Sequence, residues 1–252
     1  MDALLNFESK VVLITGAAQG LGKLLAEELA KRGANLVISD INEKGINDVA
    51  DTLSSAGYKV VAQVCNVTDS EQCKALVETA KEHYGRLDIA VNNAGIAPAF
   101  APLHLTDEAT MDKQFNVNVK GVQFGMRHQI EQMLGQGGGV ILNVSSMAGL
   151  GGAPTIASYA AAKHAVIGLT KTGAIEYARN NIRVNAMCPF FTLTPMVTNV
   201  SDDESRKTLA RGCPMKRLAQ PQEIVNAMVL MLSPGNTYMN GQCIAIDGGV
   251  SA

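Results

Sequence analysis

The sequence predicts an α/β fold, a single doubly wound parallel sheet of seven strands with helices on both faces. Three observations predict it. Short β-branched runs alternate with longer amphipathic stretches along the chain, which implies parallel strands joined by right-handed crossovers. The strand candidates are apolar almost throughout, which implies a sheet covered on both sides. The 252 residues contain no internal repeat and no low-complexity linker, so residues 1–252 read as one domain.

The elements follow in order. Residues 10–15 (KVVLIT) read as a buried strand bounded by Gly16. Residues 20–32 follow as a helix, with Leu21, Leu24, Leu25 and Leu29 at helical spacing. Residues 35–39 (NLVIS), 59–64 and 88–91 are the next strands, with helices over 43–56 and 70–84 between them. A long helix is expected over 108–134. The GQGGG turn at 135–139 then leads into a strand over 139–144. A helix over 158–178, a strand over 182–187, a helix over 221–232 and a strand over 242–246 complete the pattern. Residues 189–214 break the rhythm. They carry Phe190, Phe191, Pro195 and Met196 and then a charged run, and such an excursion in a compact domain reads as a substrate-binding loop or lid.

Composition excludes several classes. Hydrophobic residues make up 47% and the formal charge is −2, which fits a folded globular protein without a basic field for nucleic acid or a membrane surface. Cys65, Cys73, Cys188, Cys213 and Cys243 are scattered, with no CxxC pair, so neither a disulfide framework nor a zinc knuckle is expected and a reducing cytoplasm is. The first ten residues include Asp2 and Glu8 and do not read as a signal peptide. No apolar run reaches the roughly 18 residues of a membrane span. His83, His104 and His128 form no metal-like spacing, so no metal is expected.

Between the first strand and helix lies Thr15-Gly16-Ala17-Ala18-Gln19-Gly20-Leu21-Gly22. One glycine lets the chain turn, a second lets the backbone approach a pyrophosphate, and a third lets helix and strand pack. The helix N-terminus then offers N–H groups and a positive dipole end to an anion. Asp40 closes the second strand eighteen residues after Gly22. Its carboxylate can accept bonds from both ribose hydroxyls and repels a 2′-phosphate, and neither Gln19 nor Ile41 is basic; NAD(H) is therefore favoured over NADP.

Tyr159 and Lys163 are spaced i, i+4 in a YAAAK helix, with Cβ atoms about 5–6 Å apart. An ammonium beside a phenol lowers the phenol's pKa, so the pair reads as an acid/base with Lys163 as activator. Ser146 lies thirteen residues before Tyr159 at a strand's carboxyl end, where a hydroxyl can hold a substrate oxygen. His164 follows Lys163 and points off that face.

Together the turn TGAAQGLG, Asn92-Asn93-Ala94-Gly95, Asn118, Ser146 and YxxxK resemble the short-chain dehydrogenase/reductase family in order and spacing, from Lys10 to the Asp247-Gly248-Gly249 tail. The resemblance implies a Rossmann fold and the oxidation of a secondary alcohol to a ketone, or the reverse, with NAD(H). It implies that Gly16, Gln19, Gly20, Leu21 and Gly22 form the cofactor turn, and that Asp40 and Ile41 meet the adenosine ribose. Asn66 and Val67 would lie at adenine, Asn93, Ala94 and Gly95 beside the ribose, and Pro189, Thr192 and Thr194 near the nicotinamide. Ser146, Tyr159, Lys163 and Asn118 would be catalytic, with Lys163 also on the nicotinamide ribose and Asn118 holding a water that links Lys163 to solvent.

Two departures stand out. Asn66 replaces the family's usual Asp, and Phe190 follows Pro189 where Gly is usual. Phenylalanine does not adopt positive φ cheaply, so the chain there is expected to take another path, which puts Thr192 and Thr194 in question, and Phe190 and Phe191 are expected to narrow the site. The walls at 96–101 and 147–156, and the 189–214 loop, carry Phe100, Met147, Leu150, Ile156, Phe191 and Met196, which suits a neutral, fairly hydrophobic alcohol or ketone. A narrower likeness to secondary and cyclic alcohol dehydrogenases accompanies this. The rival readings are a 3-oxoacyl-type reductase, a non-catalytic NAD-binding regulatory module, and an epimerase or dehydratase using the same site. By resemblance the chain would be a homotetramer, pairing the 108–134 and 158–178 helices across one two-fold axis.

Overall fold

A computed structural model describes residues 3–199 and 201–252. Seven strands form one sheet: β1 Val11–Thr15, β2 Asn35–Asp40, β3 Val60–Val64, β4 Ile89–Asn92, β5 Gly139–Val144, β6 Ile182–Pro189 and β7 Cys243–Ile246. Their order is β3-β2-β1-β4-β5-β6-β7, and every neighbouring pair is parallel. The order reverses between β1 and β4, and a ligand crevice is expected beyond the carboxyl ends of the strands at such a point.

The period of two along each strand builds two cores. Val12 and Ile14 of β1 pack with the helices α1 Gly20–Lys31, α2 Glu43–Ser55 and α9 Pro221–Leu232 through Leu25, Ile46 and Ile224. Val11 and Leu13 face the other way, onto α3 Ser70–Tyr84, α5 Gly121–Gln136 and α6 Ala157–Tyr177 through Leu76, Met126 and Val166. Continuous apolar strands are therefore required, because each face of the sheet lies under helices.

The expected 108–134 helix is not one α-helix. It comprises α4 Glu108–Phe115, a π-helical stretch Asn116–Lys120, and α5. The Gly121 N–H donates to the Asn116 carbonyl, five residues back. This inserts a residue into the turn that holds Asn118, and such bulges gather at functional sites. The described residues of the 189–214 segment include the short helix α7 Pro195–Thr198 and α8 Asp203–Arg211, the latter capped by Asp202. No helix among the described residues is long and apolar enough to cross a membrane.

Candidate active site

β1 ends at Thr15, and the chain turns through left-handed conformations at Gly16 (φ 67°) and Gly20 (φ 59°), which glycine adopts without strain. A side chain at Gly22 would collide with the Gly16 carbonyl, so α1 packs directly against the turn. Asn93 braces it: its Nδ2 donates to the carbonyls of Thr15 (2.9 Å) and Gly16 (3.0 Å), and the N–H groups of Asn93 and Ala94 both donate to Thr15 Oγ1 at 3.1 Å. No side chain caps α1 at Gln19, whereas Asn42, Asp69 and Asp107 cap α2, α3 and α4. The α1 N-terminus at the glycine turn thus keeps N–H groups for an anion, as a pyrophosphate requires.

Asp40 lies beside this turn. Its Oδ2 accepts from the Ala18 N–H (3.1 Å) and its Oδ1 from the Asn42 N–H (3.0 Å). Leu21 is half-buried, while Ile41, next to Asp40 in the chain, is 67% exposed. Asn66 Oδ1 is already engaged, accepting from the Thr68 N–H (3.1 Å) and hydroxyl (2.9 Å). Val67 packs against Gly121.

Tyr159 and Lys163 share one face of α6, with Nζ 5.5 Å from the phenol ring centroid. Ser146, just beyond β5, accepts from the Ala148 N–H at 3.1 Å through its Oγ, and its hydroxyl is near enough to Tyr159 to draw the phenol pKa down. The three groups therefore converge. Lys163 is 4% exposed, and its Nζ donates to the Val144 carbonyl at 2.8 Å. Burial pushes the Lys163 pKa down to about 8. Burial also pushes Tyr159 up to about 12, and the Ser146 hydroxyl only partly opposes it. The expected lowering of the phenol by Lys163 is thus corrected: desolvation of the hydroxyl outweighs it.

Asn118 reaches the same region from the π-helical stretch, but not with a free amide. Its Oδ1 accepts from the Ile96 N–H (3.0 Å), and its Nδ2 donates to the Ile96 carbonyl (2.9 Å) and to Gln114 Oε1 (2.7 Å). Gly95 lies between Asn118 and Lys163: a side chain there would sit 2.8 Å from Asn118 Oδ1 and 3.6 Å from Lys163 Nζ.

β6 runs two residues further than its apolar pattern suggests, through Pro189, and the Phe190 N–H extends the ladder to the Ile246 carbonyl at 3.1 Å. Phe190 takes no positive φ. Phe190 and Phe191 stack edge to face with centroids 4.9 Å apart. Thr192 is buried, and its hydroxyl donates to the Phe190 carbonyl at 2.9 Å, so that hydroxyl is turned onto its own chain. Thr194 and Pro195 instead lie over the glycine turn, 3.8 Å from where a Gly20 side chain would point.

Three further side chains neighbour the site. Gln114 holds Asn118. Ser145 Oγ donates to the Lys163 carbonyl at 2.9 Å. Cys188 faces the Tyr159–Lys163 pair, its thiol pushed up to about 12 by burial and hence neutral. Only Gln114 carried a signal in the sequence, as a polar residue four before Asn118. Exposed His164 bonds back to the Ala160 carbonyl at 2.9 Å, away from the cleft. Among the described residues no group of three or more His, Cys, Asp or Glu is arranged to hold a metal.

A parallel sheet with a glycine-rich turn at its switch point and a Ser, Tyr and Lys cluster beside it defines an α/β oxidoreductase acting on CH–OH groups. Residues 16–251 match the family described as Enoyl-(Acyl carrier protein) reductase, and the chain belongs to the short-chain dehydrogenase/reductase family. It is 39% identical over 246 residues to cis-4-hydroxycyclohexanecarboxylate dehydrogenase of Sinomonas cyclohexanicum, covering 98% of each chain. The crystal structure of levodione reductase superposes with a TM-score of 0.92 at 35% identity, covering 97% of this chain and 98% of that one. The 3-ketoacyl-(acyl-carrier-protein) reductase from Brucella melitensis complexed with NADH gives 0.91 at 35% identity, covering 98% and 100%.

Proposed function

We propose that this protein interconverts a neutral, fairly hydrophobic secondary alcohol and its ketone with NAD(H), and that cyclic substrates suit it best. The observation that carries the reading is the convergence of Ser146, Tyr159 and Lys163 beside the glycine turn. The nicotinamide, when bound, supplies or accepts the hydride. In reduction, the Tyr159 hydroxyl gives its proton to the ketone oxygen while the Ser146 hydroxyl holds that oxygen. The Lys163 ammonium stabilises the phenolate that remains, and the proton is replaced along a path past Asn118. In oxidation Tyr159 takes the alcohol proton instead.

Asp40 supports NADH over NADPH, because its carboxylate would repel a 2′-phosphate at the turn. In this reading Gly16, Gln19, Gly20, Leu21 and Gly22 receive the pyrophosphate, and Ile41, Asn66 and Val67 flank the adenosine. Asn93, Ala94, Gly95, Pro189 and Thr194 line the remainder, with Thr192 contributing only backbone. Segment 189–214 covers the substrate. The relatives named for cis-4-hydroxycyclohexanecarboxylate and for cyclohexanol support a ring substrate, and the latter supports a neutral one. The 3-ketoacyl neighbour supports the second reading, a 3-oxoacyl-type reductase. Five free cysteines suit a cytoplasmic setting. Exposed apolar Met111, Leu134 and Ile175 on α4, α5 and α6 suit a homotetramer paired through those helices.

The test is NADH and NADPH oxidation with a panel of cyclic ketones and a 3-oxoacyl thioester. The reading expects cyclohexanone-type substrates with NADH to be fastest. A preference for the thioester with NADPH would overturn it. Reduction should also slow as pH rises through about 8, where Lys163 loses its proton.

A further inference from the structure

We infer that Gln114 is a positioning residue for the Lys163 proton path, acting through Asn118; the inference rests on the function proposed above. Gln114 is the one buried residue of α4, at 2% exposure. An apolar side chain would anchor that helix at less cost, since an amide taken out of water must be hydrogen-bonded to be tolerated. Its Oε1 accepts from Asn118 Nδ2 at 2.7 Å, bridging the α-helical turn and the π-helical stretch.

Asn118 is fully buried, so each of its N–H groups needs an acceptor. One is the Ile96 carbonyl and the other is Gln114. Its oxygen takes the Ile96 N–H. The amide thereby clamps both polar groups of Ile96, which fixes the neighbouring Gly95 backbone between Asn118 Oδ1 and Lys163 Nζ. Without the Gln114 oxygen, one buried Asn118 N–H is orphaned. The amide then turns toward another acceptor and the Ile96 clamp loosens.

Lys163 is where such a change is felt. The Val144 carbonyl is the acceptor it holds, and the titratable groups facing it are Tyr159 on its own helix and Cys188 from β6. A shift of the Asn118 dipole on the far side of Gly95 alters how well the ammonium is tolerated.

The experiment compares wild type, Gln114→Leu, Gln114→Glu and Tyr159→Phe. Hydrogen exchange of the segment containing the Ile96 amide is followed in the protein without cofactor. Cyclohexanone reduction by NADH is followed as kcat, KM and pH profile. Gln114→Leu is expected to speed exchange at Ile96 selectively and to lower kcat on the order of ten- to a hundred-fold, the cost of a small misplacement. The KM for NADH is expected to stay near wild type, and the alkaline limb to move down. Gln114→Glu keeps an acceptor oxygen whether or not it is ionised, and is expected to restore the exchange protection, most of kcat and the position of the limb. Wild-type kcat, limb and exchange in Gln114→Leu would overturn the inference. So would losses in both variants that follow only their folded fraction. Those results, with Tyr159→Phe inactive, sink this inference alone; an active Tyr159→Phe sinks the underlying reading and this inference with it.

Discussion

Lys163 sets burial against charge. In the unfolded chain it holds its proton to about 10.5, and in the folded protein only to about 8. Between those values the unfolded state binds more protons, so folding stability from this group rises with pH. The penalty is fully present below pH 8 and is gone above 10.5. Replacing Lys163 by Met should therefore stabilise the fold at pH 7 by on the order of 3 kcal/mol, read as a higher Tm, while abolishing turnover. That advantage should shrink across the window, as thermal unfolding of the cofactor-free protein at several pH values would reveal. An advantage constant with pH would contradict the burial argument. Tyr159 and Lys163 were legible from their spacing, because four residues on a helix return to the same face. The direction of the Tyr159 shift was not, because it depends on how much water the assembled site excludes.

At the scale of the element, the glycine turn and the π-helical stretch teach opposite lessons. The turn was legible because its requirement is local: backbone approaches backbone, and only glycine permits it. Gly22→Ala should then be costly, since the added methyl meets the Gly16 carbonyl and lies 2.6 Å from Asn93 Nδ2. Overpacking of this kind costs about 1–3 kcal/mol and should weaken NADH binding in step, which unfolding and fluorescence titration would report. An alanine variant with unchanged stability would show that the turn can relax. The π-helical stretch was invisible because a shift from four to five residues per hydrogen bond leaves the apolar pattern of α5 nearly intact. What marks it is a pair of amides, Gln114 and Asn118, on a stripe that should be apolar. Phe190 was legible as an anomaly, but the edge-to-face pair with Phe191 and the inward turn of the Thr192 hydroxyl depend on how β6 ends against β7.

At the scale of the molecule, strand alternation and parallel order put the carboxyl ends of β1, β4, β5 and β6 on one side. The glycine turn, Asn93, Ser146 and Pro189 all lie there. Helices α5 and α6 cover one face of the sheet yet leave Leu134 and Ile175 exposed, the latter at 80%. Light scattering should give the mass of a tetramer, and charged substitutions at Ile175 and Leu134 should lower it; a monomer would remove the argument for pairing through these helices. The measurement that bears most directly on the whole account is turnover of Tyr159→Phe with NADH and cyclohexanone, beside its affinity for NADH. Loss of the general acid should cut turnover by roughly two to four orders of magnitude while NADH binds as before. Wild-type turnover without the Tyr159 hydroxyl would contradict it.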